Sequence, residues 1–347
     1  MFSTIIAAMA FQPSNQIWQT RAEQALTFIE TNFWRADHYI QSPTDSHPAY
    51  MWDLGMQFSA LAAASKINEK YISAFDICFK SIEPYWNPQG PTPGYDVKPN
   101  PKDIDRYYDD NAWVALALLE QYETTKNSTL LMRAIETHDY VMSGWDNQLD
   151  GGIYWREAKK ESKHACSNGP AALTALKLYQ ATNDRKYLAQ AQQIIAWLDA
   201  TLRDSDGLYF DNMDSHSQIQ RTKWSYNTAL PIQTHLMLYQ INQTEANLKA
   251  AQQSVDSAIK FWVGPSGEIK DDAGFAVHLV DALFAFNEPK YTAIAERAVE
   301  YAYQNTRTKE GFYANRWDRP NPEKPGNLLA QASAARAFSL LAAKNSN

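Results

Sequence analysis

The connections between helical segments alternate in length along this chain, and that alternation restricts the fold more than any other feature of the sequence. Apolar residues recur with helical period almost throughout: Ile17, Ala22, Ala25, Leu26, Ile29 and Phe33 share one face, as do Ala115, Leu116, Leu118, Leu119 and Tyr122. The periodicity predicts twelve helices near 14–34, 48–65, 69–83, 108–124, 128–143, 167–181, 185–202, 225–242, 245–262, 272–287, 290–306 and 326–343. The even-numbered segments end in brief polar turns such as Lys66-Ile67-Asn68, Thr125-Lys126-Asn127, Thr182-Asn183-Asp184, Asn242-Gln243-Thr244 and Asn287-Glu288-Pro289. Most odd-numbered segments are followed by long loops rich in Gly, Pro, aromatic and acidic residues. Those loops echo one another: Asp150-Gly151-Gly152-Ile153-Tyr154-Trp155, Asp206-Gly207-Leu208-Tyr209-Phe210, Ser266-Gly267-Glu268-Ile269 and Glu310-Gly311-Phe312-Tyr313 each place apolar or aromatic residues after a turn glycine.

A pattern that returns every ~45–60 residues marks a repeat built from helix pairs. Six pairs suffice to close a ring, and neither terminal segment reads as the polar cap that an open superhelix of hairpins needs. The expected fold is therefore all-α, an (α/α)6 toroid in which 1–347 form one domain, with even helices inside and odd helices outside. The inner helices then run parallel, their N-termini meet at one mouth, and the long loops line it.

Composition narrows the class of partner. Apolar residues make up 45% of the 347, which excludes a disordered chain. The net charge of -7 argues against nucleic acid, which demands a basic face. Cys78 and Cys166 cannot build a disulfide framework and lack metal-ligand spacing. The opening Met1 to Phe11 is apolar but has no preceding Lys or Arg, although Ala8-Met9-Ala10 imitates a cleavage site. No stretch approaches the ~18 apolar residues of a membrane span. The expectation is a cytoplasmic, monomeric protein that takes an oligo- or polysaccharide and binds neither membrane nor nucleic acid.

Chemistry concentrates in Tyr107-Tyr108-Asp109-Asp110-Asn111-Ala112-Trp113, where a tyrosine-rich loop turns into a helix. A pair of acids beside aromatic rings is what glycosidic cleavage requires: one protonates the leaving oxygen, and the other attacks or activates water. An aspartate at a helix start is also an ordinary cap, so the pair gains weight from what surrounds it. The residues opening the inner helices converge there: Trp52 and Asp53, Asn168 and Gly169, Tyr226 and Asn227, Asp271 and Asp272, Gly326 and Asn327. Trp86, Tyr95, Trp155, Tyr209, Trp224 and Trp317 come from the loops above. Rings stack on the CH faces of sugars, and amides and carboxylates take hydroxyl pairs. The candidate catalytic residues are Asp109 and Asp110. The candidate substrate-binding residues are Trp52, Asp53, Asn168, Trp224, Tyr226, Asn227 and Asp272, with Trp155 and Trp317 beside them. Taken singly, each could be a helix cap or a loop anchor; together they favour a sugar site.

Other chemistries find no support. Asp103, Asp105 and Asp109 imitate a calcium loop, but Tyr108 replaces its glycine and Val114 its closing glutamate. The seven histidines show no metal pattern, and neither a Gly-x-Ser-x-Gly elbow nor a phosphate loop is present. No metal and no cofactor are expected.

Tyr108-Asp109-Asp110-Asn111-Ala112-Trp113, Gly151-Gly152-Ile153-Tyr154-Trp155, Ser167-Asn168-Gly169-Pro170-Ala171 and Ser225-Tyr226-Asn227 occur in that order along the chain. On these motifs the sequence resembles glycoside hydrolase family 76, the bacterial and fungal endo-α-1,6-mannanases. The resemblance implies an (α/α)6 barrel and retaining hydrolysis of α-1,6-linked mannose chains, with the first aspartate as nucleophile and the second as acid/base. The segment Ile269 to Asp281 departs from the family, which usually carries a phenylalanine-lysine-glycine stretch and a later arginine; the distal subsites are thereby left open. Neighbouring aspartates can reach the ~5–5.5 Å separation of a retaining pair, and their proximity splits their pKa values. The rival readings are a sugar 2-epimerase using His235 and His278, an unsaturated glycuronyl hydrolase, and a sugar-binding barrel without catalysis.

Overall fold

Helices account for nearly all the regular structure: α1 (Asn15–Phe33), α2 (Met51–Ser65), α3 (Lys70–Ser81), α4 (Tyr108–Thr125), α5 (Ser128–Met142), α6 (Ala165–Thr182), α7 (Arg185–Thr201), α8 (Ser225–Asn242), α9 (Glu245–Trp262), α10 (Ala273–Ala285), α11 (Pro289–Asn305) and α12 (Leu328–Lys344). The computed structural model describes residues 15–344, so Met1–Phe11 with its Ala8-Met9-Ala10 triplet lies outside the described residues.

Burial divides the helices into two sets. Odd helices bury one stripe: α9 covers Ala251, Ser254, Val255, Ala258 and Trp262, the spacing of an amphipathic surface helix. Even helices are enclosed nearly all round; α12 is buried at every residue from Leu328 to Ser339, and α8 from Ser225 to Ile232. A helix apolar on all sides has to sit inside. The even helices pack in succession, α2 on α4, α4 on α6, α6 on α8, α8 on α10 and α10 on α12, and α12 returns to α2. This is a closed (α/α)6 barrel. Small residues let the inner helices approach: a Cβ on Gly169 would sit 2.9 Å from Leu230 Cβ.

Each inner helix also packs on the outer helix that follows it. Among the described residues no outer helix follows α12, and it packs on α1. The architecture is thus five hairpins plus one pair assembled from opposite ends of the chain.

The two faces of the barrel are built differently. On the short-turn face, α4, α6 and α8 end at left-handed residues, Lys126, Asn183 and Gln243. Asn127 and Asp184 then cap the next helix by accepting from the backbone N–H of Thr129 and Lys186. On the long-loop face, Gly151, Gly207, Gly267 and Gly311 turn the chain at positive φ. Two residues beyond each, the chain pairs back antiparallel: Ile153 with Trp145, Tyr209 with Arg203, Ile269 with Val263, and Tyr313 with Arg307. The fourth residue of the next inner helix grips several of these turns. Asn168 Oδ1 accepts from Ile153 N at 2.8 Å while its Nδ2 donates to Ile153 O at 3.0 Å. Asn111 does the same to Tyr95 at 2.8 and 2.9 Å, Gln331 to Tyr313 at 2.9 and 2.8 Å, and Thr228 Oγ1 accepts from Tyr209 N at 3.1 Å.

Strands occur only within connections. β1 (Trp34–Arg35), β2 (His38–Ser42) and β3 (Asp45–Pro48) form one antiparallel sheet and β4 (Trp86–Asn87) with β5 (Gly94–Tyr95) another. β6 (Ser162–His164), β7 (Asn212–Asp214) and β8 (Ile219–Gln220) form a third, which ties the loop before α6 to the loop before α8 at the mouth. Among the described residues no helix is long and apolar enough to cross a membrane.

Candidate active site

A cavity of about 500 Å³ opens where the inner helices begin. Its lining follows a register. The residues just before α2, α4, α6 and α8 contribute Tyr50, Tyr107, His164 and Trp224, and the second residues of those helices contribute Trp52, Asp109, Cys166 and Tyr226. Third residues add Asp53, Asp110 and Phe275, and Trp113 lies one helical turn deeper. Val97, Trp155 and Asp211 come from the loops.

Phe275 organises the aromatic wall. Its ring lies parallel to Tyr226 at 4.1 Å, with Trp52 and Trp224 each 5.4 Å away. Trp113 sits between Tyr226 at 6.5 Å and His278 at 4.2 Å. The segment Ile269 to Asp281 thus supplies the central ring of this wall.

The two adjacent aspartates occupy unlike environments. Asp109 Oδ2 accepts a hydrogen bond from Trp155 Nε1 at 3.1 Å, whereas its Oδ1 is buried without a partner. Burial raises the Asp109 pKa to about 6, against the opposing pull of the Cys166 thiol, the Trp155 N–H and backbone N–H groups of the helix start. The Asp110 carboxyl makes no hydrogen bond to the described residues, and the residue is 8% exposed. Burial first, then the charges of Asp109 and Asp53, push its pKa well above the usual carboxylate range. One first turn of helix therefore presents a carboxylate that ionises first and a neighbour that keeps its proton.

The other polar groups grade this field without a cation, for among the described residues no lysine or arginine lines the cavity. Asp53 accepts from Gln41 Nε2 at 3.0 Å and from Leu329 N at 3.1 Å, and burial raises its pKa to about 6. Asp211 accepts from Asn227 Nδ2 at 3.2 Å and from Asn212 Nδ2 at 2.8 Å. His164 is held through Nε2 by Ser162 Oγ at 2.8 Å, and burial lowers its pKa to about 4, so it is neutral at physiological pH. Among the described residues no group of three or more His, Cys, Asp or Glu is placed to hold a metal ion.

Seven sequence-derived candidates line the cavity: Trp52, Asp53, Asp109, Asp110, Trp155, Trp224 and Tyr226. Asn168 does not. Strand β6 feeds α6 from Ala165, earlier than the periodicity suggests, so Asn168 falls at the fourth position and its amide is consumed by the Ile153 turn. Asn227 is 1% exposed and reaches the cavity only through Asp211. Asp272 is drawn into an ion pair with Arg316 at 3.1 Å, outside the cavity lining. Trp317, Tyr95 and Tyr209 are buried loop anchors, and Trp86 lies under the Arg133 guanidinium at 4.3 Å. The epimerase reading loses its histidines: His235 is held by Asn247 and Asp199, His278 by Asp281, and neither lines the cavity. Cys166, His164, Asp211 and Phe275 were missed. The signal for Cys166 was its register, since it stands beside Asn168 as Asp109 stands beside Asn111.

Comparisons with known proteins bear on the family and the fold. The sequence model of Glycosyl hydrolase family 76 matches residues 16–346. Among solved structures, a GH76 α-mannanase of Bacteroides thetaiotaomicron superposes with a TM-score of 0.91 at 26% identity, covering 94% of this chain and 96% of that one. An inactive variant of the α-1,6-mannanase GH76A of Salegentibacter sp. HEL1_6, two consecutive aspartates replaced by asparagine and α-1,6-mannotriose bound, superposes with a TM-score of 0.80 at 24% identity, covering 94% and 99%. Among curated proteins, the meiotically up-regulated gene 191 protein of Schizosaccharomyces pombe is 23% identical over 280 residues, 70% of this chain; the match covers 61% of that relative's length.

Proposed function

Because the chain belongs to glycosyl hydrolase family 76, we propose that it cleaves α-1,6-linked mannose chains with retention of configuration, Asp109 acting as nucleophile and Asp110 as acid/base. The observation that carries the reading is the contrast within the aspartate pair: Trp155 Nε1 donates to Asp109 at 3.1 Å, which favours its ionised form against burial, whereas the Asp110 carboxyl has no such donor and is pushed well above the usual range by burial and the charge beside it. In the first step Asp110 gives its proton to the glycosidic oxygen while Asp109 attacks the anomeric carbon, forming a β-linked glycosyl ester. In the second, Asp110, now ionised, takes a proton from water, and the ester is displaced to return the α configuration. Trp52, Trp224, Tyr226 and Phe275 offer apolar faces to the sugar rings, while Asp53 and Asp211 offer acceptors to hydroxyls.

Related proteins support the substrate. The Bacteroides protein is an α-mannanase, and the Salegentibacter enzyme binds α-1,6-mannotriose when two consecutive aspartates are replaced. The test is incubation with linear α-1,6-mannan followed by mass analysis of products. Mannose oligomers are expected from the native chain and none from Asp109→Asn. A native chain that leaves this polymer intact while cutting another α-linked glycan would contradict the substrate assignment.

A further inference from the structure

The two oxygens of Asp109 are treated differently by the fold. Oδ2 is engaged by the Trp155 indole N–H at 3.1 Å, and Oδ1 is buried without a hydrogen-bond partner, the Cys166 thiol and the Asp110 carboxyl being the other titratable groups that face this carboxyl. Trp155 itself is fixed from several sides. Its backbone N–H donates to Ser162 O at 3.1 Å, and its carbonyl accepts from Tyr108 N at 3.0 Å, the first residue of the helix that carries Asp109. Its ring packs edge-on to Tyr107 at 5.0 Å and stacks on His164 at 5.1 Å, while His164 is locked by Ser162. Backbone and side chain of one residue are therefore both bonded to the first turn of α4.

We infer that Trp155 is the positioning residue of the nucleophile: its indole N–H fixes the rotation of the Asp109 carboxylate so that Oδ1, the free oxygen, faces the anomeric carbon. The inference rests on the assignment of Asp109 as nucleophile. A neutral donor suits this task. A cation paired with Asp109 would deplete the charge that attacks, whereas an N–H donor favours the ionised form and orients it without forming an ion pair. A wrongly rotated carboxylate must turn before it can react, and near-attack geometry is worth orders of magnitude in rate.

Trp155→Phe tests this, because it keeps a ring and removes the N–H. The variant is expected to lose about ten- to a hundred-fold in kcat/KM on α-1,6-manno-oligosaccharide, mostly in kcat, and the acidic limb of its pH profile should move upward. The sign follows from the bond: an N–H that stabilises the carboxylate lowers its pKa, so removing it raises the pKa. A change confined to KM with the acidic limb in place would make Trp155 only a sugar platform and overturn the inference. A second measurement needs no substrate. The indole N–H resonance of Trp155 in the native protein should titrate between about pH 4 and 8, and Asp109→Asn should abolish the titration. A resonance indifferent to pH would overturn the inference even if mannan is hydrolysed; a titrating resonance in a chain inert to mannan would instead count against the substrate assignment.

Discussion

Asp53 on α2 accepts a hydrogen bond from the backbone N–H of Leu329 on α12, with 3.1 Å between Oδ1 and N. The contact spans the seam where the ring closes, and the same carboxyl lines the cavity. Closure of the barrel and the electrostatics of the site thus share a residue. Asp53→Ala should cost about 1–3 kcal/mol, because it leaves a buried N–H unpaired. Asp53→Asn keeps an acceptor and should lose much less. Both remove a charge that raises the Asp110 pKa, so the alkaline limb of the rate profile should move to lower pH in both. Thermal melts and pH–rate profiles of the two variants check this.

The pH dependence of the native enzyme follows from the pair. On the proposed roles, activity needs Asp109 ionised and Asp110 protonated. kcat/KM should rise as pH passes about 6, where Asp109 ionises, and fall again at the higher pH where Asp110 loses its proton. A profile that keeps rising into alkaline conditions would contradict the assignment of Asp110 as the acid.

The same environment predicts a stability effect. The folded pKa of Asp110 lies above its unfolded value, so burial costs nothing in acid and stability falls as pH climbs from the unfolded pKa towards the folded one. Asp110→Asn cannot ionise. It should therefore melt higher than the native chain at neutral pH, by about 2 °C or more, and the gain should vanish on acidification. Melting curves across that range test the sign directly.

The far end of the barrel depends on an ion cluster. Arg336 on α12 reaches Glu120 on α4 at 2.9 Å and Asp281 on α10 at 3.1 Å. Burial alone would raise both acids, but Arg336, aided by Lys66 at Glu120 and His278 at Asp281, holds both below the usual range. Arg336→Ala removes the cation that both buried acids share, leaving Glu120 only Lys66 and Asp281 only His278, and should cost about 3–5 kcal/mol. With depressed pKa values, these acids contribute stability above their unfolded pKa and lose it as pH falls, so the native chain should weaken in acid more steeply than Arg336→Ala.

The ring was legible because alternating turn lengths and all-round burial are properties of local sequence. Asp109, Asp110, Trp52, Asp53, Trp224 and Tyr226 were legible because helix starts in a parallel ring must meet. Asn168 and Asp272 were misplaced for a different reason: whether an amide or carboxylate faces solvent or grips a loop depends on partners, Ile153 and Arg316, that are remote from any helix-start pattern. Phe275 and Cys166 were passed over because an apolar ring and a thiol inside helical segments read as core. Only the second- and third-residue register, visible once the helix starts are fixed, brings them to the cavity.

The two aspartates should separate by leaving group. An aryl α-mannoside with a weakly basic leaving group needs no proton, so Asp110→Asn should regain much of its first-step rate on that substrate. Asp109→Asn should stay about 10²–10⁴-fold below native on every substrate. Rescue of Asp109→Asn by the activated substrate would reverse the roles.

The stereochemistry of the first-formed product tests the central claim most directly. In the proposed mechanism Asp109 itself attacks, whereas an inverting pair holds a water between carboxyls ~6.5–9.5 Å apart. Proton NMR of α-1,6-mannan hydrolysis, recorded before mutarotation, should show the α-anomer of the new reducing end appearing first. Initial release of the β-anomer would contradict the account, even with mannan as substrate, and would require Asp109 or Asp110 to act with a distant acid.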